Sequence, residues 1–179
     1  MTARTDLAGD ASGFVAIEFA LLLPVLITIF CGLIEVTQGV IVYMKLASAA
    51  ETVSDLVAQQ QSVSDSSVDD YYTAAQLVMA PAATDGLGLA VASVTFDAAN
   101  GTPSIAWQET RGPGVAMNDL TTAVTGLGAS SASGAADSVI VAEATYTYTS
   151  LLQYLLQSPI TLTQRAYSRP RLVATVPLQ

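Results

Sequence analysis

Glu18 is the residue whose placement is hardest to explain by solvation alone. Directly after it, residues 19–34 read FALLLPVLITIFCGLI without a charge, and Glu35 closes the run. A carboxylate one turn into an apolar helix loses hydration, so it is expected to be paired or put to use. Other candidate chemistry is sparse. Asp65, Asp69 and Asp70 lie in a serine-rich stretch but lack the spaced Asp/Asn/Gly ligands of a calcium loop, and read as solvated acids. Tyr146, Tyr148, Tyr154 and Tyr167 could stack on a sugar, and serve equally well as cross-strand packing. Glu143 and Arg165 fall on neighbouring expected strands, where an exposed pair contributes only about 0–1 kcal/mol. The chain has no histidine and one cysteine, Cys31. Within one chain this excludes serine-histidine and cysteine-histidine catalysis, zinc chemistry and an intramolecular disulfide. No cluster has the make-up of a catalytic centre, so the expectation is a protein with no enzyme activity and no cofactor or metal.

The elements that position these residues begin with an anchor. The chain has 179 residues, enough for about one domain. Fifteen acidic residues against six basic ones give a net charge of -9, so there is no basic stripe for phosphates and no nucleic-acid partner is expected. Charged residues make up 12% of the chain and apolar ones 51%, against about 25% charged in ordinary soluble domains. At 1.5 Å per residue, residues 19–34 give roughly 24 Å of helix, short of the ~30 Å hydrocarbon core. A second apolar run, GVIVYM at residues 39–44, is expected to supply the remainder, with Glu18 and Glu35 roughly 26 Å apart near the two membrane edges. Arg4 precedes the run and Lys45 follows it, and no Lys or Arg then appears before Arg111. This favours a short N-terminal tail inside and a translocated larger part.

Beyond the anchor, Gly39, Tyr43, Leu46, Ala50, Val53 and Val57 recur at helical spacing, with Glu51, Asp55 and Gln59 on another face. One helix over residues 14–60 would be roughly 70 Å long. Residues 59–70 read as a surface loop, and 71–79 as a short helix stopped by Pro81. Strands are expected at 89–96 and 104–109, joined through a turn at Asn100-Gly101, with Val94, Phe96, Ile105 and Trp107 sharing a face. A helix is expected over 115–127 after Gly112-Pro113-Gly114, then a flexible Gly/Ala/Ser loop over 126–138. Further strands are expected at 139–149, 160–167 and 172–176. The fold class is α+β: a long N-terminal helix with a small antiparallel sheet packed against it.

The segment SGFVAIEFALLLPVL, residues 12–26, resembles the N-terminal signature of prepilin-like proteins of the tight-adherence (Tad, or Flp) pilus system, and most of all the TadE-like family. The likeness is strongest over residues 12–57. It implies cleavage between Gly13 and Phe14 by a membrane aspartyl prepilin peptidase, with Glu18 as the fifth residue of the mature chain. Glu18 would then pair with the freed amine of Phe14, on the same or a neighbouring subunit, and set the register of assembly. Glycine before the scissile bond lets the backbone extend into a protease cleft. Pro24 removes the hydrogen bond to the Ala20 carbonyl and is expected to kink the helix. The implied organisation is a leader at 1–13, a transmembrane and amphipathic helix at 14–60, and an extracytoplasmic α+β domain at 61–179. The implied protein is a pseudopilin or minor pilin in assembly or initiation of a type IV pilus for surface adhesion. It would be single-pass in the inner membrane with its bulk in the periplasm, and its incorporation into the pilus stays open. Its partners would be the peptidase, other pilin or pseudopilin subunits and the assembly machinery. Arg4 is the one basic residue of the leader, where family members carry more. Two alternatives stay open: a secretory signal cut after Ala47-Ser48-Ala49, and a signal-anchored envelope module that binds a ligand or adheres.

Overall fold

The computed structural model describes residues 11–114, 116–127, 137–150 and 158–179. The first element, α1, runs unbroken over Ala11–Ala58 with Pro24 inside it. Among the described residues only its second half meets the rest of the chain, where Val42, Leu46, Ala49, Ala50, Val53 and Val57 form a buried stripe. That stripe packs on α2, Asp65–Met79, and on a four-stranded antiparallel sheet. The strands are β1, Leu87–Phe96, β2, Pro103–Arg111, β3, Asp137–Tyr148, and β4, Ile160–Ser168, in the order β2-β1-β3-β4. The expected α+β architecture is therefore present.

The sheet has a core on each face. Toward the helices lie Leu87, Leu89 and Val91 of β1 with Ile140, Ala142, Ala144, Tyr146 and Tyr148 of β3. On the opposite face lie Ala90, Ala92, Val94 and Phe96 of β1 and Val139 and Val141 of β3, covered by Met117, Leu120 and Val124. Central strands covered on both sides are apolar at nearly every position, which is why β1 reads LGLAVASVTF rather than alternating. The Asn100-Gly101 turn is as expected: Gly101 takes φ 68, Asp97 Oδ1 accepts from the Ala99 and Asn100 amides, and Asn100 Oδ1 accepts from Thr102.

Four sequence expectations are corrected. Residues 59–70 are not all loop, because α2 begins at Asp65; Ser64 caps it by accepting from the Ser67 amide, and Asp65 complements the helix dipole. The apolar stripe Val68, Tyr71, Ala75, Met79 starts too sparsely to show among the serines and acids. The helix expected at 115–127 shrinks to α3, Leu120–Ala123, since Thr121, Thr122, Val124 and Thr125 are β-branched and Gly126 leaves the helix at φ 87. Val94 and Phe96 do not share a face with Trp107. Ala106 is an extra residue between the pairs Val94↔Ile105 and Ser93↔Trp107, and this bulge turns Trp107 to the helix side. Residues 172–176 form no strand. Between Pro170 and Pro177 the chain turns instead to the α1–α2 connection, where Arg171 N donates to Ala58 O, and Val63 bridges Leu178. Trp107 Nε1 and Ser138 Oγ donate to the Val176 and Ala174 carbonyls, so this tail lies along the core rather than on a sheet edge. Of the loop expected at 126–138, residues 128–136 lie outside the described residues.

Candidate functional site

The first half of α1 is an apolar rod without cover. From Phe14 through Ile34 no residue is buried, and Glu18 is the one charge in the stretch. The polar side chains Thr28 and Thr37 satisfy themselves on the helix, donating to the carbonyls of Pro24 at 2.8 Å and Leu33 at 2.7 Å. This back-bonding is how hydroxyls are tolerated where no water is available. Phe14–Ala58 is one helix long and apolar enough to cross a membrane, with the length and composition of a single-pass anchor. Gly13 lies within α1. Glycine weakens a helix by about 1 kcal/mol relative to alanine, so the helix is locally weakest beside the Gly13–Phe14 bond. Glu18 is exposed one turn further on and Pro24 lies within the continuous helix.

At the other end of the rod the structure brings together residues that the sequence reading kept apart. Glu35 is only 4% exposed, and Tyr148, at the end of β3, donates its hydroxyl to Glu35 Oε1 at 2.8 Å. Glu35 has further interactions besides this one. Burial first, then the hydrogen bond to Glu35, pushes the Tyr148 hydroxyl up to about 12. Glu35 thus faces the domain, and Val42, from the second apolar run, enters the same core. Lys45 donates its Nζ to the carbonyl of Ala80 beyond α2. The run at residues 39–44 is accordingly shared, with Val42 in the core and Val40, Ile41, Tyr43 and Met44 exposed. A signal was present for the Glu35 contact. Glu35 stands seven residues before Val42, in step with the buried stripe, and Tyr148 has the parity of Ile140, Ala142 and Ala144 on β3.

Charge elsewhere is consumed locally. Arg165 pairs with Glu143, its register partner on β3 as expected, and with Asp119, whose carboxyl it holds below the usual range. Arg111 gathers Asp65, Asp69 and Glu109, so two of the three clustered acids serve as ion-pair partners. Arg169 pairs with Asp137 and Arg171 with Asp55. Every arginine among the described residues is paired with a carboxylate, which leaves no arginine patch for phosphates. Exposed pairs such as Arg171 with Asp55 contribute about 0–1 kcal/mol each. Of the four tyrosines, Tyr146 and Tyr148 are core, Tyr167 is exposed, and Tyr154 lies outside the described residues. Among the described residues no group of His, Cys, Asp and Glu is arranged to hold a metal.

In a comparison with protein families, residues 13–55 fit the model of the TadE-like protein family, in agreement with the resemblance carried by SGFVAIEFALLLPVL. The matched segment begins at Gly13 and covers the exposed rod, the Glu35 junction and most of the buried stripe. Neither the curated proteins nor the solved structures contain a match to the chain.

Proposed function

We propose that this protein is a membrane-anchored TadE-like pseudopilin, or minor pilin, that takes part in assembly or initiation of a Tad-type pilus. The observation that carries this reading is the family match over 13–55 falling on a helix whose first half is an exposed apolar rod with Glu18 as its one charge and whose second half enters the core of a small α+β domain. The protein acts through contacts. Residues 1–13 are the leader, a prepilin peptidase cuts between Gly13 and Phe14, residues 14–60 form the anchor helix, and 61–179 complete the domain on the periplasmic side of the inner membrane. Cleavage frees an amine at Phe14, one helical turn from Glu18, and the ammonium-carboxylate pair fixes how far one helix slides along its neighbours. Pro24 is the place where the rod bends to fit among them, since it leaves the Ala20 carbonyl without its helical donor. A secretory cut before Ala50 is disfavoured by the structure's use of that site: Ala49 and Ala50 are buried in the core.

Glu18→Ala tests the assembly role. Export, membrane insertion and the domain fold are expected to stay at parental levels, because Glu18 is remote from the core. Cross-linking to pilin subunits and surface pili are expected to fall sharply. Unchanged assembly in a correctly inserted, correctly cleaved variant would remove Glu18 from the mechanism.

A further inference from the structure

In a chain cut before Phe14, the uncovered part of α1 has a set length. Phe14 through Ile34 spans about 30 Å of helix at 1.5 Å per residue, which is the thickness of the hydrocarbon core. If the rod fills the core, Glu35 stands at the headgroup boundary, and the first turns beyond it lie in the headgroup layer, which adds about 5–7 Å on each side. The domain is already present at that depth, because Tyr148 reaches Glu35 there. Beside this contact lies a groove of about 320 Å³ lined by Val36, Gly39, Val40, Tyr43, Ile160 and Leu162, together with Glu35 and Tyr148.

Three features of the groove point the same way. Its walls leave large apolar groups exposed: Val36 is 66%, Val40 52%, Tyr43 49% and Ile160 42% exposed. Its one charged side chain, Glu35, is turned inward and hydrogen-bonded, so nothing ionic faces outward from the lining. Helical side chains tilt toward the N-terminus, so Tyr43 leans back toward the bilayer, where aromatic side chains with a polar tip are favoured.

We infer that the domain does not stand clear of the membrane but rests on it, with the groove between α1 and the β3–β4 edge occupied by lipid at the headgroup–acyl boundary. This rests on the anchor reading of α1, and it adds a second membrane contact made by the domain itself through Ile160 and Leu162. The charged pair on these two strands, Glu143 and Arg165, stands five residues along the ladder from Tyr148 and Ile160 and does not line the groove, and the Arg111 and Arg169 clusters lie elsewhere, which leaves this end of the ladder for the interface. The contact removes the tilting freedom that a single helix alone would leave the domain.

The test uses the full chain in vesicles of phosphatidylethanolamine and phosphatidylglycerol, with Cys31→Ser as background and one environment-sensitive fluorophore per variant. Probes are placed by Ile160→Cys and Val40→Cys in the groove, Leu26→Cys in the rod and Asn100→Cys in the distant β1–β2 turn. Lipids carrying a nitroxide near the headgroup are expected to quench the Ile160 and Val40 probes strongly and the Asn100 probe not at all. Nitroxides at mid-chain are expected to quench the Leu26 probe. Quenching at Leu26 with Ile160 and Val40 as open to aqueous iodide as Asn100 would overturn the inference and leave the anchor standing. Failure at Leu26 would overturn both. Protection of Ile160 from iodide without lipid quenching would assign the groove to residues 151–157 of the chain itself, and protection that grows with protein density would assign it to a second copy. Either result contradicts lipid occupancy.

Discussion

Tyr148→Phe removes one oxygen from the junction between rod and domain, and its effect can be worked out beforehand. The hydroxyl donates to a carboxylate that is 4% exposed, from a ring that is itself 8% exposed. Hydrogen bonds to charged groups contribute about 1.5–3 kcal/mol net, and a buried acceptor that loses its donor keeps its desolvation cost. The same contact also gives the stability a pH dependence. Burial first, and then the hydrogen bond to Glu35, holds the Tyr148 hydroxyl up at about 12, above its ordinary value. The folded pKa is raised, so this contribution is fully present below pH 10 and is lost as the pH rises from 10 toward 12. The assay is urea unfolding of the detergent-solubilised chain followed through its single tryptophan, Trp107, which is buried against the C-terminal tail. Tyr148→Phe is expected to lower stability by about 1.5–3 kcal/mol at neutral pH and to flatten the loss of stability between pH 10 and 12. Glu35→Gln and the double variant complete a cycle, in which the two changes together should cost less than their sum. A Tyr148→Phe protein with the parental midpoint and an unaltered alkaline slope would refute the account of the junction.

Two further stability measurements probe the rest of the scaffold. Leu46→Ala, at a fully buried position of α1, is expected to destabilise the domain by about 2–5 kcal/mol in the same unfolding assay; no change would mean that α1 does not form the core. Gly112→Ala is expected to be strongly destabilising, because Gly112 adopts φ 61 and an added Cβ would collide with the Leu87 carbonyl and the Tyr72 hydroxyl that donates to it. Full parental stability of this variant would show that the turn after β2 is built differently.

The parts of the fold legible in the sequence were those with one dominant period. The long helix followed from an apolar run joined to a stripe at Leu46, Ala50, Val53 and Val57. β3 followed from VIVAEATYTYT, and the β1–β2 hairpin from Asn100-Gly101. What escaped was decided by contacts between distant segments. The first turn of α2 contains one apolar residue, Val68, and although its cap, Ser64, is local, its Arg111 partner comes from the end of β2. Trp107 changed faces through one unpaired residue, Ala106, and a bulge leaves no mark in hydrophobic pattern. Residues 172–176 have strand composition, but two prolines and the demand of Val63 for a pairing partner took them elsewhere. At the candidate site, Glu18 was visible because its neighbours are so uniformly apolar, and Gly13 because it stands directly before the apolar stretch. Glu35 was legible as a charge near a membrane edge, while its burial under Tyr148 required the β3 parity and the helix stripe to be laid against each other.

The central claim is that α1 is a processed pilin-type anchor, and its N-terminus reports on this most directly. Intact-mass and N-terminal analysis of protein recovered from membranes should give a chain starting at Phe14, and a chain starting at Met1 from cells that lack the prepilin peptidase. A start at Met1 in peptidase-competent cells, or at Ala50 in either, would contradict the account.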